Sequence, residues 1–173
     1  MSFITPEITA KDVEDVKKGK TFTKDAVPAG EYEMLVRFAP KVRTSRAGNP
    51  YLTLMLTHLN ELSKGTLAVY PNINNNEIGQ KQFIELLLAL GFSTSEIVQP
   101  GTGWGAVEGA EADDKGRIPA EIRVGSDSVD LEGRTLNVYL TQKPRKNYAT
   151  GEVLVGEFGE ELTNEVARFI VAD

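Results

Sequence analysis

The sequence predicts a mainly β protein with one long helix. Apolar and polar residues alternate over 31–39, 51–58 and 135–141, and this period of two is typical of half-buried strands. Residues 77–90 instead place Phe83, Leu86, Leu87 and Leu90 along one side of a helix. Gly91 follows them, at the position where a helix commonly ends in a left-handed residue.

The remaining segments complete the order of elements. A turn over 60–65 and a short strand over 66–70 are predicted before the helix, and the asparagines over 72–76 are candidates to cap it. Residues 100–105 are predicted to be a loop, and residues 152–157 are the predicted fifth strand. For 118–124 and 163–171 the pattern leaves helix and strand open.

Length and composition indicate one globular domain. The 173 residues are 40% hydrophobic, and we expect a polar N-terminal arm over 1–27 followed by a single domain over 28–173. The absence of cysteine excludes disulfides and a cysteine nucleophile. No apolar run is long enough to span a bilayer and no signal peptide is evident, so the sequence predicts a soluble intracellular protein.

Positive charge is concentrated in two segments although the net charge is −6. The first segment, 37–46, and the second, 142–151, contain no Asp or Glu. An acidic body with local basic segments would attract a polyanion to one place and repel it elsewhere. The basic side chains of the two segments are Arg37, Lys41, Arg43 and Arg46, and then Lys143, Arg145 and Lys146.

The order of predicted elements is that of an OB-fold, a five-stranded barrel with a helix between strands three and four. In that fold the loops after strands one and four flank the face that holds oligonucleotides. Both basic segments are predicted to be those two loops. The first is expected to be a long irregular loop over 40–50, because Pro40 and Gly48-Asn49-Pro50 disfavour regular structure. The sequence therefore predicts an OB-fold with elaborated loops and a nucleic-acid site between the loops.

Tyrosines extend this predicted site. If the leucines and valines point inward, Tyr51, Tyr70 and Tyr139 point outward on one sheet face near Arg37, and Tyr148 lies in the second basic loop. Exposed tyrosines among cations can stack on bases. The full set of predicted nucleic-acid-binding residues is Arg37, Lys41, Arg43, Arg46, Tyr51, Tyr70, Tyr139, Lys143, Arg145, Lys146 and Tyr148.

Several short motifs carry a family resemblance over about residues 28–170. They are Pro-Ala-Gly-Glu-Tyr-Glu at 28–33, Gly-Asn-Pro-Tyr-Leu at 48–52, Leu-Ala-Leu-Gly at 88–91, Glu-Gly-Arg at 132–134 and Asn-Glu-Val at 164–166. With these motifs the chain resembles the single-stranded DNA-binding proteins of bacteriophages. The resemblance implies an OB-fold, single-stranded DNA as partner, and a role in phage DNA replication or recombination in the host cytoplasm. It also implies replication or recombination proteins as further partners.

Other interpretations remain open at this stage. Basic loops are often only solvated, and a self-assembling β-barrel of structural or virion type would also fit the pattern. An enzyme is not expected, because the chain lacks cysteine, has one histidine and shows no clustered carboxylates. No cofactor and no metal are predicted, and the oligomeric state is left open. His58 and Trp104 are interpreted as structural residues.

Overall fold

The protein, described from a computed structural model, is mainly β with curled sheets and one long helix. The structure describes residues 8–10, 13, 26–58, 68–147, 150–153, 155–156, 159–160 and 162–172. The helices are α1 (Glu77–Ala89) and the short α2 (Thr94–Ile97). The strands are β1 (Gly30–Val36), β2 (Lys41–Thr44), β3 (Pro50–Thr53), β4 (Leu56–His58), β5 (Ala68–Val69), β6 (Asn72–Asn74), β7 (Gly103–Ala106), β8 (Ile118–Val124), β9 (Asp127–Val129), β10 (Thr135–Pro144), β11 (Val155–Gly156), β12 (Gly159–Glu160) and β13 (Leu162–Ile170).

Four antiparallel pairings join the five strands of the first curled sheet. Its strand order is β13-β10-β1-β4-β5. The two outer strands of this order, β13 and β5, also contact each other. The sheet is therefore curled, and the apolar faces of its strands contribute to a common core.

The second sheet is formed by strands that are continuous in the chain with strands of the first sheet. Its strand order is β6-β3-β2-β8-β7, and β9 pairs with β8. Chain bends at 37–40 and 54–55 separate β1 from β2 and β3 from β4, so these strands pass from one sheet to the other. The pairing of β4 with β5 continues without a change of register into that of β3 with β6. The segments 30–44, 50–58 and 68–74 therefore each contribute one strand to either sheet.

Helix α1 confirms the predicted apolar stripe. Phe83, Leu86 and Leu87 are buried, and the helix packs against β6 and β13. The Asn76 side chain accepts a hydrogen bond from the Gly79 backbone N–H (2.7 Å) and so caps the first turn. Gly91 has a φ of +97°, as expected for the left-handed residue after a helix.

The first basic segment is a hairpin, so the prediction of a long irregular loop over 40–50 is wrong. Residues 41–44 form β2 and pair with β3. The turn between them is closed by the Ser45 N–H, which donates to the Asn49 carbonyl oxygen (2.8 Å). Neither proline interrupts this pairing, because Pro40 precedes β2 and Pro50 is the first residue of β3, where a missing N–H is tolerated.

Other corrections concern the second half of the chain. The fifth strand of the first sheet is β13, whereas within 152–157 the structure describes only the two-residue strand β11. Half of the predicted loop over 100–105 belongs to β7, and residues 118–124, for which helix and strand were left open, are strand β8. Trp104 packs half-buried against the core, in agreement with its structural interpretation. The second basic segment begins on a strand, because β10 extends to Pro144.

The junction between the N-terminal arm and the domain is held by a buried asparagine. The Val27 N–H donates to Asn164 Oδ1 (2.8 Å), and Asn164 Nδ2 donates to the carbonyl oxygens of Val27 (2.9 Å) and Thr141 (3.2 Å). These bonds attach the chain just before β1 to β13 and β10. The division into an arm over 1–27 and a domain over 28–173 stays a prediction.

Candidate nucleic-acid interface

The side chains of strands β2 and β3 point alternately to two opposite faces of the hairpin. Val42 and Leu52 lie opposite each other and are buried. The neighbouring pairs, Lys41 with Thr53 and Arg43 with Tyr51, therefore point to the other side, towards solvent. Arg46 lies exposed in the turn between the strands. The hairpin thus holds three cations and one tyrosine on its outer side.

Strand β6 adds amide side chains to this outer face. Tyr51 pairs with Asn74, and Thr53 pairs with Asn72. Both asparagines are exposed, while Ile73 between them is buried opposite Leu52. Each row across β2, β3 and β6 therefore runs from a cation, through a tyrosine or a threonine, to an amide.

A third row lies where the hairpin leaves the first sheet. The Arg37 N–H donates to the Met55 carbonyl oxygen (3.0 Å), which continues the pairing of β1 with β4. The register of β4 with β5 places Met55 opposite Tyr70, and the tyrosine side chain is 61% exposed. Arg37 is also exposed. This row also begins with a cation, but its middle residue is a methionine and its last residue is a tyrosine.

We call these outward positions the three-row face. None of its members is Asp or Glu, and the stretch 37–58 that supplies two thirds of them contains no acidic residue at all. Cations in a stretch without acidic residues favour a local positive potential on a protein whose net charge is −6. The rows of the face are Arg37–Met55–Tyr70, Lys41–Thr53–Asn72 and Arg43–Tyr51–Asn74.

Phe38 is an exposed aromatic residue, although the alternation over 31–39 puts it on the same side as the buried Met34 and Val36. Its side chain is 53% exposed, and the Arg37 guanidinium lies 5.8 Å from the centre of its ring. The alternation fails here because β1 ends at Val36 and the chain bends before β2. Pro40 was the available signal, since the residues just before a proline are often drawn out of a regular strand ladder.

The second basic segment lies at a different place. β10 runs antiparallel to β1, with Leu140 opposite Gly30, so residues 141–144 extend past the start of β1. The first segment follows the end of β1 instead. The Lys143 ammonium also pairs with the Glu165 carboxylate (3.2 Å). This pairing offsets part of its charge.

The other members of the second predicted cluster are dispersed. Lys146 pairs with Val153 in an isolated bridge, and Arg145 is half-buried. Tyr148 lies outside the described residues. The structure therefore does not bring this segment onto the three-row face.

Tyr139 is exposed as predicted, but the prediction that it lies near Arg37 is wrong. Its strand neighbours are Glu31 on β1 and Arg168 on β13. Glu31 precedes Arg37 by six residues, which is about 20 Å along an extended strand. Tyr51 and Tyr70 share the outer face with Arg37, and Tyr139 occupies another part of the surface.

His58 is buried, in keeping with its structural interpretation. Its ring meets the Tyr32 ring edge-on, with 5.2 Å between their centres. Within the described part of the chain, neither ring nitrogen has a hydrogen-bond partner. Burial lowers the pKa of His58 below its ordinary value of 6.5, because a charged imidazole is poorly solvated there.

Among the residues that the structure describes, no group of three or more His, Asp or Glu side chains is placed to hold a metal ion. No helix in the same ranges is long and apolar enough to cross a membrane.

A family described as a protein of unknown function (DUF669) matches residues 13–97. The match includes all nine positions of the three-row face and helix α1, and it ends at the last residue of α2. No curated protein matches the chain significantly.

Proposed function

We propose that the protein binds single-stranded DNA, without regard to base order, in the replication or recombination of phage DNA in the host cytoplasm. The observation that carries this proposal is the three-row face. It places Arg37, Lys41 and Arg43 at the ends of neighbouring rows, beside the exposed Tyr70, the half-buried Tyr51 and two exposed asparagines, and none of its nine positions is Asp or Glu. Cations can contact phosphates and aromatic rings can stack on bases of any kind, so this composition suits a ligand recognised by its backbone.

The strand order supports an OB-fold as the framework of this site. In an OB-fold the barrel strands follow the order five, four, one, two, three, with strands three and five in contact. The first sheet has this order if β13, β10, β1, β4 and β5 are taken as those strands, and its outer strands touch. The OB-fold binds oligonucleotides on its second and third strands and on the loop after the first strand. With this assignment of strands, the three-row face corresponds to that surface, which supports the proposed site.

The proposed site is centred on the first basic segment. Each base stacked on a tyrosine contributes about 1–3 kcal/mol. Lys143, Arg145 and Lys146 lie beyond the other end of β1, and Lys143 is already paired with Glu165. We therefore assign the main contacts to Arg37, Lys41, Arg43, Arg46, Tyr51 and Tyr70.

The test is titration of a labelled oligo-dT with the protein, followed by fluorescence anisotropy. Arg43→Glu with Arg46→Glu should abolish binding, because it places two negative charges beside the phosphates. Both side chains are exposed on the hairpin, so the melting temperature should change little. Lys81→Glu with Lys115→Glu is the matched control, because it makes the same change in net charge at exposed positions outside the face.

The salt dependence gives a second readout. If three or four phosphates are neutralised, the slope of log affinity against log salt is about −2 to −3, so a fourfold rise in salt weakens binding about 20- to 60-fold. Equal weakening by the two double variants would place the site elsewhere. If the parent protein does not bind oligo-dT and instead forms large assemblies, the alternative of a self-assembling structural or virion protein replaces this proposal.

A further inference from the structure

Strand β7 is the outermost strand of the second sheet, and among the described residues it pairs with β8 alone. The outer strands at the other edges of the two large sheets each contact a further element: β6 packs against α1, and β13 and β5 contact each other. Proteins commonly protect an open edge with lysine, proline or a bulge, because its backbone groups can pair with another strand. Residues 101–107, which contain β7, include no charged residue and no proline. This edge is therefore open to pairing.

The register of β7 shows which backbone groups lie on its open side. The Val107 N–H donates to the Pro119 carbonyl oxygen (2.8 Å), so the backbone of Val107 is directed towards β8. The direction alternates along an antiparallel strand. Gly105 therefore also bonds to β8, whereas Trp104 and Ala106 direct their N–H and C=O groups away from it. The open edge thus offers two donors and two acceptors to another strand.

The outer face of β7 is formed by glycine. Gly103 and Gly105 lie there without a positive φ, and an added Cβ at either would meet no heavy atom beyond its chain neighbours within 4 Å. The side chains opposite them on β8, Arg123 and Glu121, pair with each other (3.0 Å). The strand and these two side chains together carry no net charge, on a protein whose net charge is −6. Two copies can therefore approach each other here with little repulsion.

The sequence of β7 complements itself when a second copy pairs antiparallel to it with Gly105 opposite Gly105. Trp104 of each copy then lies opposite Ala106 of the other, and these are the residues whose backbone groups lie on the open side. Val107, which is 39% exposed, lies opposite Gly103 of the other copy. Each large side chain thus opposes a small residue, which is the arrangement that allows close packing.

We infer that β7 is the contact surface for a second copy of this chain, which pairs with it antiparallel about a two-fold axis at Gly105. The pairing occupies the open edge of both copies, so it is closed at the dimer. The contact involves only residues 101–107 of each copy, whereas a stable interface commonly has about 20–30 residues a side. The dimer therefore exchanges with the monomer and dissociates on dilution. This inference does not depend on the proposed function.

The dimer places both three-row faces on one side of a continuous sheet. Lys41 lies opposite Pro119 on β8, and Glu121, two residues further along β8, lies opposite Gly105. Lys41 and Gly105 therefore share the outer face of the second sheet. A two-fold axis perpendicular to the sheet keeps that face on the same side in both copies. The dimer thus presents two candidate faces to a single ligand.

Disulfide trapping tests the register of the pairing. The chain has no cysteine, so Gly105→Cys introduces a single thiol at the two-fold axis. In the proposed pairing the two Cα atoms at this position are about 4.5 Å apart, a distance that a disulfide accepts. Gly103→Cys is the matched control, because it lies on the same open face but about 13 Å along the strand from its copy in the other protein.

Mild oxidation without DNA should therefore cross-link Gly105→Cys about tenfold faster than Gly103→Cys, because a disulfide needs Cα atoms within about 7 Å of each other. Equal rates, or faster cross-linking of Gly103→Cys, would overturn the proposed register and the inference with it. The melting temperature of each reduced variant checks that the added side chain is tolerated.

A proline variant tests the backbone pairing without cysteine. Ala106→Pro removes an N–H on the open side and keeps the bonds of β7 to β8, and edge strands tolerate proline at such positions. In sedimentation velocity the parent should move from monomer to dimer as its concentration rises, whereas Ala106→Pro should stay monomeric and melt like the parent. A parent that is monomeric at millimolar concentration, or a dimer that persists in Ala106→Pro, contradicts the inference. Neither result affects the oligo-dT titration, which tests the proposed function separately.

Discussion

Two neighbouring residues of β3 should separate binding from stability. Leu52 is fully buried between Val42 and Ile73, whereas Tyr51 points outward between Arg43 and Asn74. Tyr51→Ala should remove a stacking surface and leave the core intact. Leu52→Ala should leave a cavity in the core and keep the outer face. The two residues are adjacent in β3, so the comparison tests which side of the sheet each side chain occupies.

The expected sizes of the two effects are well separated. Loss of a base stack of about 1–3 kcal/mol weakens binding about 5- to 150-fold. A buried Leu→Ala substitution costs about 2–5 kcal/mol of unfolding free energy. In a protein of this size, each kcal/mol of unfolding free energy that is lost lowers the melting temperature by about 2–4 °C. Leu52→Ala should therefore melt about 4–20 °C below the parent.

The assay combines thermal melting with titration of oligo-dT at fixed salt. Tyr139→Ala is the matched control, because this exposed tyrosine lies beside Glu31 and away from the three-row face. It should bind and melt like the parent. A large drop in melting temperature for Tyr51→Ala with none for Leu52→Ala would show that the assignment of the two faces is reversed. Equal weakening of binding by Tyr139→Ala and Tyr51→Ala would refute the location of the site.

Two further predictions concern stability. Gly79→Ala should destabilise the protein severely, because an added Cβ would overlap the Asn74 carbonyl where α1 meets β6; an unchanged unfolding midpoint in urea would contradict this close approach. The pKa of His58, the only histidine, is lowered by burial, so its contribution to stability is complete above pH 6.5 and is lost as the pH falls below that value. The melting temperature of the parent should therefore fall between pH 7.5 and 5.5, and that of His58→Leu should fall less. Identical dependence of the melting temperature on pH in the two proteins would exclude His58 as the cause.

Local patterns determined the elements whose periodicity is strong. The helix over 77–89, the inward leucines of β3 and β4, and the outward tyrosines at 51, 70 and 139 all follow from which positions are apolar. The charge of the first basic segment is likewise a property of the sequence. These features are predictable because burial of alternate residues, or of one helix side, depends only on near neighbours.

Pairing between distant segments determined the rest. The sequence does not reveal that the bend at 38–40 brings Arg37 into line with Lys41 and Arg43, because this alignment depends on their partners Met55, Thr53 and Tyr51. Nor does it show that Tyr139 lies beside Glu31, a residue more than a hundred positions away. Register is fixed by burial of whole strand faces against one another, and that burial exists only once the sheet has assembled.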